Sequence, residues 1–406
     1  MKRRLLLFVL VFALIPLCAA GAEAPGSYAE DLTAECAFSF RWKESKINRA
    51  ETMTDGDVST YFTFKNNKDG LTVECGEPVY GVSVMLYDLF GKDYAYDLQA
   101  ENAAGEWVTV GESRYLSNWH ALETPAKRIR IAATSREALR IAEIRLFGPG
   151  KKPEDVQDWQ DLDKADLMLL AAHPDDEVLW FAGLMPVYTD RGYRVQLAMM
   201  TPGCGERQLE LLQCAWHCGI RYYPCFIGLH DKNGRQNLKK QYELWRSETR
   251  VHRLVTECFR RYRPEVVVTH GLEGEYGHSA HKAAADSAIA CLKYAADPQK
   301  YRNSAEQYGP WQVKKLYLHE YPENRVTMDW TQPLASFGGK NGFDIAGEAF
   351  LYHVSQVKIG HYEFQPGGDH DNTAFGLYFS AVGPDTGRND FMENIENTVS
   401  EDTPDE

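Results

Sequence analysis

The chain has 406 residues, more than one hydrophobic core usually organises, so we expect two domains. Its 44% hydrophobic and 25% charged residues are typical of a soluble globular protein. The formal net charge of −14 argues against nucleic acid or an anionic membrane as the main partner, and it favours a neutral or cationic small molecule or a glycan.

Residues 1–24 have the pattern of a signal peptide. A basic stretch, Lys2–Arg4, precedes the apolar run Leu5–Leu17, which is too short to span a membrane. Small residues that suit cleavage follow at Ala20, Ala22 and Ala24. Lipidation at Cys18 is a second alternative, disfavoured because Leu17 stands where such signals need a small residue, and an uncleaved anchor is a third. We therefore predict an exported protein (secreted, at the cell surface or periplasmic) with no membrane span in the mature chain.

Residues 27–148 have the texture of an all-β domain. Short β-type runs with partly alternating polarity are separated by turn residues, as in "GVSVML" (81–86), "WVTVGE" (107–112) and "RIRIAA" (128–133). Several such strands without a helical period predict a β-sandwich. Nine cysteines become eight if the signal peptide is removed, none has C-x-x-C spacing, and their pairing stays open.

The rest of the chain has a different texture. Residues 149–164 are polar and charged, which predicts a linker. From 165 to 395, apolar strands such as "ADLMLLAA" (165–172) alternate with helical segments, including a long helix over 240–262, and this order predicts an α/β Rossmann-like domain with a mostly parallel sheet. Residues 396–406 are acidic and lack apolar periodicity, which predicts a disordered tail.

Two groups of chemically active side chains follow strands of this α/β domain. His173, Asp175 and Asp176 come directly after the first strand, and His278 and His281 come just past the fourth. Ligands of open parallel sheets bind outside the carboxyl ends of the strands, so both groups are predicted to meet at one sheet edge. Two histidines and one aspartate would leave a coordination position for water on Zn²⁺ or another divalent ion, the layout of a catalytic site.

Two motifs give this domain a resemblance to a known family. "AAHPDDE" (171–177) together with "EYGHSAH" (275–281) resembles the LmbE/PIG-L-type zinc-dependent N-acetylglucosaminyl deacetylases, over roughly 165–395. The N-terminal domain resembles the discoidin-type (F5/8 type C) module, a jelly-roll sandwich often used to hold glycans. That second resemblance is carried by "NRAETMTDGDVSTYF", "AENAAGEWVTVGE" and "IAEIRLFG" in this order.

The deacetylase resemblance implies a role for each matching position. It implies a metal site, with Zn²⁺ expected and Fe²⁺ or another divalent ion as alternatives, whose ligands are His173, Asp176 and His281. Asp175 matches the family's general base. His278 matches a histidine that stabilises the tetrahedral intermediate or protonates the leaving amine, and Tyr276 matches a tyrosine that assists at the oxyanion. Arg207 and Asp231 fall where the family contacts its sugar.

One departure from the family pattern concerns the second motif. Many members have His-Pro-Asp-His, whereas this chain has Ser279 and Ala280 between the two histidines. Ala280 removes a carboxylate that could orient a neighbouring group, which leaves the support of the ligands in question but not the ligand set. Three further histidines, His217, His319 and His353, are expected to serve mainly the structure, the last two with pocket lining as an alternative.

The sequence thus predicts an exported metal-dependent hydrolase that removes N-acetyl groups from an amino sugar or a glycan. One alternative is an amidase of the same family that acts on a different amide conjugate. Another is a glycan-binding protein whose α/β domain has no catalysis. The exact substrate and the oligomeric state stay open.

Overall fold

The computed structural model describes residues 26–40, 49–64, 69–88, 94–203, 205–231, 237–360 and 362–396. The predicted signal peptide and all but the first residue of the predicted acidic tail lie outside these ranges, so both stay predictions. Within the described part of the chain, no helix is both long enough and apolar enough to cross a membrane.

The N-terminal region is all-β, as predicted, and every strand pair in it is antiparallel. Its seven strands are β1 (Ala37–Ser39), β2 (Phe62–Thr63), β3 (Gly70–Leu86), β4 (Tyr96–Glu101), β5 (Trp107–Glu112), β6 (Ser117–Ala133) and β7 (Arg140–Phe147). Cys36 and Cys75 form a disulfide that ties the entry into β1 to β3, a pairing that the sequence left open.

The two long strands β3 and β6 lie at the centre of one seven-stranded sheet. The first part of β3 pairs with β1 and with the end of β6, and its last part pairs with β7 and the start of β6. The register of this pairing shifts between Glu74 and Gly81, which divides β3 into two parts. Alternate residues of both parts, including Val73 and Val84, are buried in one common core.

The second domain contains a seven-stranded sheet in the order β10-β9-β8-β11-β12-β14-β13. The strands are β8 (Leu167–Ala171), β9 (Val195–Met199), β10 (Cys225–Phe226), β11 (Val266–Thr269), β12 (Lys315–His319), β13 (Arg325–Thr327) and β14 (Ala374–Ser380). The first five are parallel, and β14 runs antiparallel to both of its neighbours. The prediction of a mostly parallel sheet is confirmed.

Helices cover both faces of this sheet. They are α1 (Asp176–Leu179), α2 (Leu184–Asp190), α3 (Glu206–His217), α4 (Leu238–Leu244), α5 (Glu248–Tyr262), α6 (Ser279–Ala296), α7 (Arg302–Tyr308), α8 (Gly342–Phe350) and α9 (Val354–Val357). Every residue of β8 is buried, and successive side chains such as Leu169 and Leu170 enter cores on opposite faces. The continuous apolar run of β8 follows from this double coverage.

The prediction of one long helix over 240–262 is wrong, because this segment forms two helices, α4 and α5. Arg246 adopts a positive φ of 79°, which ends α4. Ser247 then accepts a hydrogen bond from the Arg250 N–H and caps α5. Serine favours the cap position of a helix, but the helical period on both sides of Ser247 predicted one continuous helix.

Residues 149–164, predicted to be a linker, pack against both domains. Trp159 is buried in the core of the α/β domain, and the indole N–H of Trp216 donates to the Glu154 carbonyl at 2.7 Å. On the other side, the Tyr115 hydroxyl of the β-domain donates to Asp161 at 2.6 Å. The segment therefore connects the two cores by fixed contacts along its length.

Candidate metal centre and active site

The strand order creates a crevice where the two motifs meet. From β8 the chain proceeds to β9 and β10 on one side, and later to β11 and β12 on the other. The carboxyl ends of β8 and β11 therefore flank a topological switch point, the usual ligand position in such sheets. His173 follows β8 and His270 follows β11, while α6 begins beside them and carries His281.

The three predicted metal ligands lie together at this crevice. His173 Nδ1 is 3.2 Å from Asp176 Oδ2, and His281 Nε2 is 3.3 Å from both Asp176 Oδ1 and His173 Nδ1. Donor atoms bound to one tetrahedral Zn²⁺ lie about 3.3–3.5 Å apart, given metal–ligand distances of roughly 2.0–2.2 Å. The donor set and its spacing therefore fit one such ion.

The charges around these atoms favour a cation. Burial by itself would raise the pKa of Asp176, but the neighbouring His281 and His173 hold it well below its usual range, so the carboxylate is ionised. Burial would likewise lower the pKa of His281, yet Asp176 and Glu275 outweigh it and raise that pKa to about 10. A buried pocket that stabilises positive charge this strongly suits a divalent ion.

Asp175 lies beside the ligands with an unusual backbone. Its φ is 117°, a conformation that non-glycine residues rarely adopt, and its N–H donates to Glu177 Oε2 at 2.8 Å. Burial, followed by the charge of Asp176, raises the pKa of Asp175 to about 7, although Arg207 and His353 oppose the shift. A carboxyl group with this pKa can both accept and return a proton at neutral pH.

His278 and Tyr276 stand at the mouth of the crevice. Burial and the nearby His173 and His281 lower the pKa of His278 to about 3, so its ring is neutral. Its Nδ1 accepts the Ala280 N–H at 3.3 Å, which leaves the ring hydrogen on Nε2 as a donor. Burial also raises the pKa of the Tyr276 hydroxyl above its ordinary value, so that group keeps its proton as well.

The two predicted sugar contacts are both near the centre. Arg207 Nη2 lies 3.1 Å from Asp175 Oδ2 and also donates to the Pro174 carbonyl. Asp231 Oδ1 lies 3.7 Å from His173 Nε2, on the side of that ring away from the metal donors. Arg207 thus pairs with the predicted base. Contact of Arg207 or Asp231 with a sugar stays a prediction.

Several residues that support the centre were missed from the sequence. Glu177 and Glu275 stand inside the two motifs, and both are buried and hydrogen-bonded to histidines. The indole N–H of Trp180 donates to Asp176 Oδ1 at 2.8 Å. Their position within or beside the motifs was the available signal, because a charged residue next to a buried strand needs a partner. His319 and His353, expected to be mainly structural, contact these two glutamates.

Two other groups of metal-type side chains occur in the described residues. One consists of Glu177, Cys214 and His353, but burial raises the pKa of the Cys214 thiol well above its usual value, so the thiol stays protonated. The other consists of Glu248, His252 and Asp286, where the carboxylates face different nitrogens of His252 at 3.9 and 3.7 Å. Neither offers the convergent donors of the first centre.

Comparison with known proteins agrees with this geometry. Residues 168–292 match the family model "PIG-L: GlcNAc-PI de-N-acetylase". Fold and site thus define a PIG-L-type α/β domain preceded by an antiparallel β-domain. The chain carries a PIG-L family domain at residues 168–292, as the two motifs predicted.

Curated relatives carry the name 1D-myo-inositol 2-acetamido-2-deoxy-alpha-D-glucopyranoside deacetylase. One from Catenulispora acidiphila is 29% identical over 44% of this chain and 62% of its own length, and one from Frankia casuarinae is 40% identical over 42% and 64%. The chain therefore spans somewhat over three fifths of the length of these relatives.

Two solved structures show partial similarity to this chain. N,N'-diacetylchitobiose deacetylase from Pyrococcus horikoshii is 18% identical, covers 47% of this chain and 71% of its own, and has a TM-score of 0.38. The family 32 carbohydrate-binding module of NanJ from C. perfringens is 20% identical, covers 30% and 99%, and has a TM-score of 0.26.

Proposed function

We propose that the protein is a divalent-metal-dependent hydrolase that removes the acetyl group from an N-acetylated amino sugar, free or within a glycan. The observation that carries this proposal is the convergence of His173 Nδ1, the Asp176 carboxylate and His281 Nε2 within 3.3 Å of one another, with Asp175 beside them. The deacetylase names of the relatives support the same chemistry.

His173, Asp176 and His281 would hold the ion, with Zn²⁺ expected from its preference for imidazole and carboxylate ligands. When bound, such an ion supplies Lewis-acid activation of water and of the amide carbonyl. The remaining chemistry falls to side chains of this chain that accept, donate or orient protons around the amide.

Asp175 is placed to accept the proton of the attacking water as the new C–O bond forms. The carbonyl oxygen gains negative charge in this step, and the Nε2–H of neutral His278 and the Tyr276 hydroxyl would donate hydrogen bonds to it. Asp175 then returns this proton to the nitrogen as the C–N bond breaks. The products are acetate and the free amine of the sugar.

Arg207 keeps Asp175 in place before the reaction. Its guanidinium contacts the Asp175 carboxylate at 3.1 Å and the neighbouring carbonyl of Pro174. These two contacts fix the distance between the base and the metal donors, and such fixed positioning contributes strongly to rate.

The test is acetate release by the zinc-loaded protein from N-acetylglucosamine, its oligomers and mixed bacterial and host glycans. The control is Asp175→Asn, which retains the ligand set and shape but lacks the base. We expect wild-type activity and a loss of about 10²–10⁴-fold in the variant, with the metal still bound. Bound metal without acetate from any of these compounds would contradict the proposal and favour another amide substrate or glycan binding alone.

We also propose that the protein is exported through cleavage near Ala20–Ala24, on the pattern of residues 1–24 alone. Expression of the full chain followed by N-terminal sequencing of the protein outside the cytoplasm tests this. A mature protein that begins after Ala20, Ala22 or Ala24 is expected, and an intact Met1 on a cytoplasmic protein would contradict export.

A further inference from the structure

Glu275 lies at the centre of three histidine side chains. Its Oε2 is 2.6 Å from His270 Nδ1 and 2.7 Å from His281 Nδ1, and its Oε1 is 2.6 Å from His319 Nδ1. All four side chains are completely buried. We name these four residues the Glu275 cluster. A buried carboxylate with three ring contacts is placed to hold those rings in one orientation.

The proton positions in the Glu275 cluster follow from its surroundings. His270 Nε2 accepts the Ala172 N–H at 3.0 Å, so the hydrogen of that ring is on Nδ1 and is donated to Glu275. His281 Nδ1 is 2.7 Å from Glu275 Oε2, so the same ring presents its other nitrogen, Nε2, to Asp176 and His173. Glu275 thus fixes which nitrogen of His281 faces the other two predicted ligands.

The local backbone is shaped to bring Glu275 inward. Gly274 has a φ of 61°, and a Cβ at that position would lie 2.5 Å from the His278 carbonyl oxygen, so only glycine fits. Tyr276 follows with a φ of 44°, which keeps its own ring at the mouth while Glu275 is buried. The turn therefore places the Glu275 carboxylate against the ring of His281. The same motif has alanine, and hence no carboxylate, at position 280.

We propose that Glu275 is the positioning residue that orients His281 for metal binding, in place of the carboxylate that position 280 lacks. His319 is its anchor: it arises from β12, outside the residues matched by the family model, and it fixes Oε1 while Oε2 serves the ligand. The proposal rests on the proposed function, since it takes His281 to be a ligand.

The test is a titration of the metal-free protein with Zn²⁺ against a chelating dye, which needs no substrate. Glu275→Gln keeps the shape, but its amide offers one acceptor oxygen where the carboxylate offers two. We expect the Zn²⁺ dissociation constant to rise about 10–100-fold in a metal-free protein that still folds but unfolds at a lower temperature, because one buried ring N–H loses its acceptor. The matched control is Glu273→Gln, two residues away, whose side chain is 95% exposed and which should bind Zn²⁺ as the wild type does.

A folded Glu275→Gln variant that binds Zn²⁺ within about twofold of wild type would overturn this inference but not the proposed function. A wild-type protein that binds no Zn²⁺ would overturn both. If Glu275→Gln does not fold, His319 supplies a second pair: His319→Asn keeps a donor near the Nδ1 position, and His319→Leu removes it. We expect weaker Zn²⁺ binding for Leu than for Asn, and equal wild-type affinity of both would contradict the role of Glu275.

A spectroscopic signature separates orientation from general loss of structure. Co²⁺ in place of Zn²⁺ gives visible absorption that depends on ligand geometry. Glu275→Gln should change the position or intensity of that absorption even at saturating Co²⁺, whereas Glu273→Gln should not. An unchanged spectrum at saturation would contradict a positioning role.

Discussion

The two motifs of the α/β domain each contribute a buried glutamate, and the two glutamates support different parts of the centre. In the Glu275 cluster, the carboxylate contacts the ring of a predicted ligand, His281. Glu177 instead accepts the backbone N–H of the predicted base, Asp175, at 2.8 Å, and its other oxygen is 2.6 Å from His353 Nε2. One glutamate therefore contacts a predicted metal ligand, and the other contacts the predicted base.

Both glutamates depend on a histidine far along the chain. His319 ends β12 and His353 precedes α9, and neither lies within the residues that the family model matches. Residues beyond the matched range 168–292 thus complete a site whose reactive groups come from two short motifs. Variants of the two clusters should accordingly separate metal affinity from catalytic rate.

The largest effect on rate among the supporting residues is expected at His353. His353→Ala removes the partner of Glu177 and frees Asp175 to leave its strained conformation, in which φ is 117°. We expect kcat to fall about ten- to hundredfold, because small displacements of a catalytic group are costly, with KM and Zn²⁺ affinity little changed. Steady-state kinetics and the dye titration measure both quantities.

His353→Gln is the matched control, since its amide N–H can still donate to Glu177. It should recover most of the lost kcat. If His353→Ala weakened Zn²⁺ binding as strongly as Glu275→Gln, the division between a metal-supporting and a base-supporting glutamate would be wrong.

A smaller effect is expected at Trp180, which contacts the ligand carboxylate directly. Trp180→Phe removes the indole donor to Asp176 Oδ1. The backbone N–H of His173 still donates to Asp176 Oδ2 at 2.7 Å. The dissociation constant for Zn²⁺ should rise about tenfold or less, at the low end of the range for groups that support a ligand. If Trp180→Phe weakened Zn²⁺ binding more than Glu275→Gln does in the same titration, Trp180 and not Glu275 would be the main support of the metal ligands.

The β-domain should show stability effects that leave the metal centre unchanged. His120 is buried there, and burial lowers its pKa to about 4, while Tyr96 lies 2.9 Å from its Nε2. Between about pH 6.5 and 4 the unfolded chain binds a proton that the folded protein does not, so stability falls as the pH falls, by on the order of 2–3 kcal/mol.

Urea unfolding of the metal-free protein at pH 7.5 and 4.5 measures this loss. His120→Gln does not titrate and should show a smaller decrease between the two pH values, with Zn²⁺ affinity at pH 7.5 equal to that of wild type. The same pH dependence in both proteins would show that His120 is not a source of acid sensitivity.

The first buried strand and its reactive end could be predicted from the sequence, because both depend on residues that are neighbours along the chain. The apolar run 165–172 and the charges after it define a buried strand with a reactive end, and the rule for parallel sheets brings His173 and His281 to one edge. The supporting contacts depend on the neighbour relations of β8, β11 and β12, which no local pattern encodes. For this reason the sequence predicts a mainly structural role for His319 and His353, and it predicts no role for Glu177 and Glu275.

The most direct test of the central claim is an anomalous difference map at the zinc absorption edge, from crystals of the wild-type protein prepared with Zn²⁺. We predict one strong peak about 2.0–2.2 Å from His173 Nδ1, the Asp176 carboxylate and His281 Nε2. No peak at these atoms, or a peak only at the group of Glu248, His252 and Asp286, would contradict it.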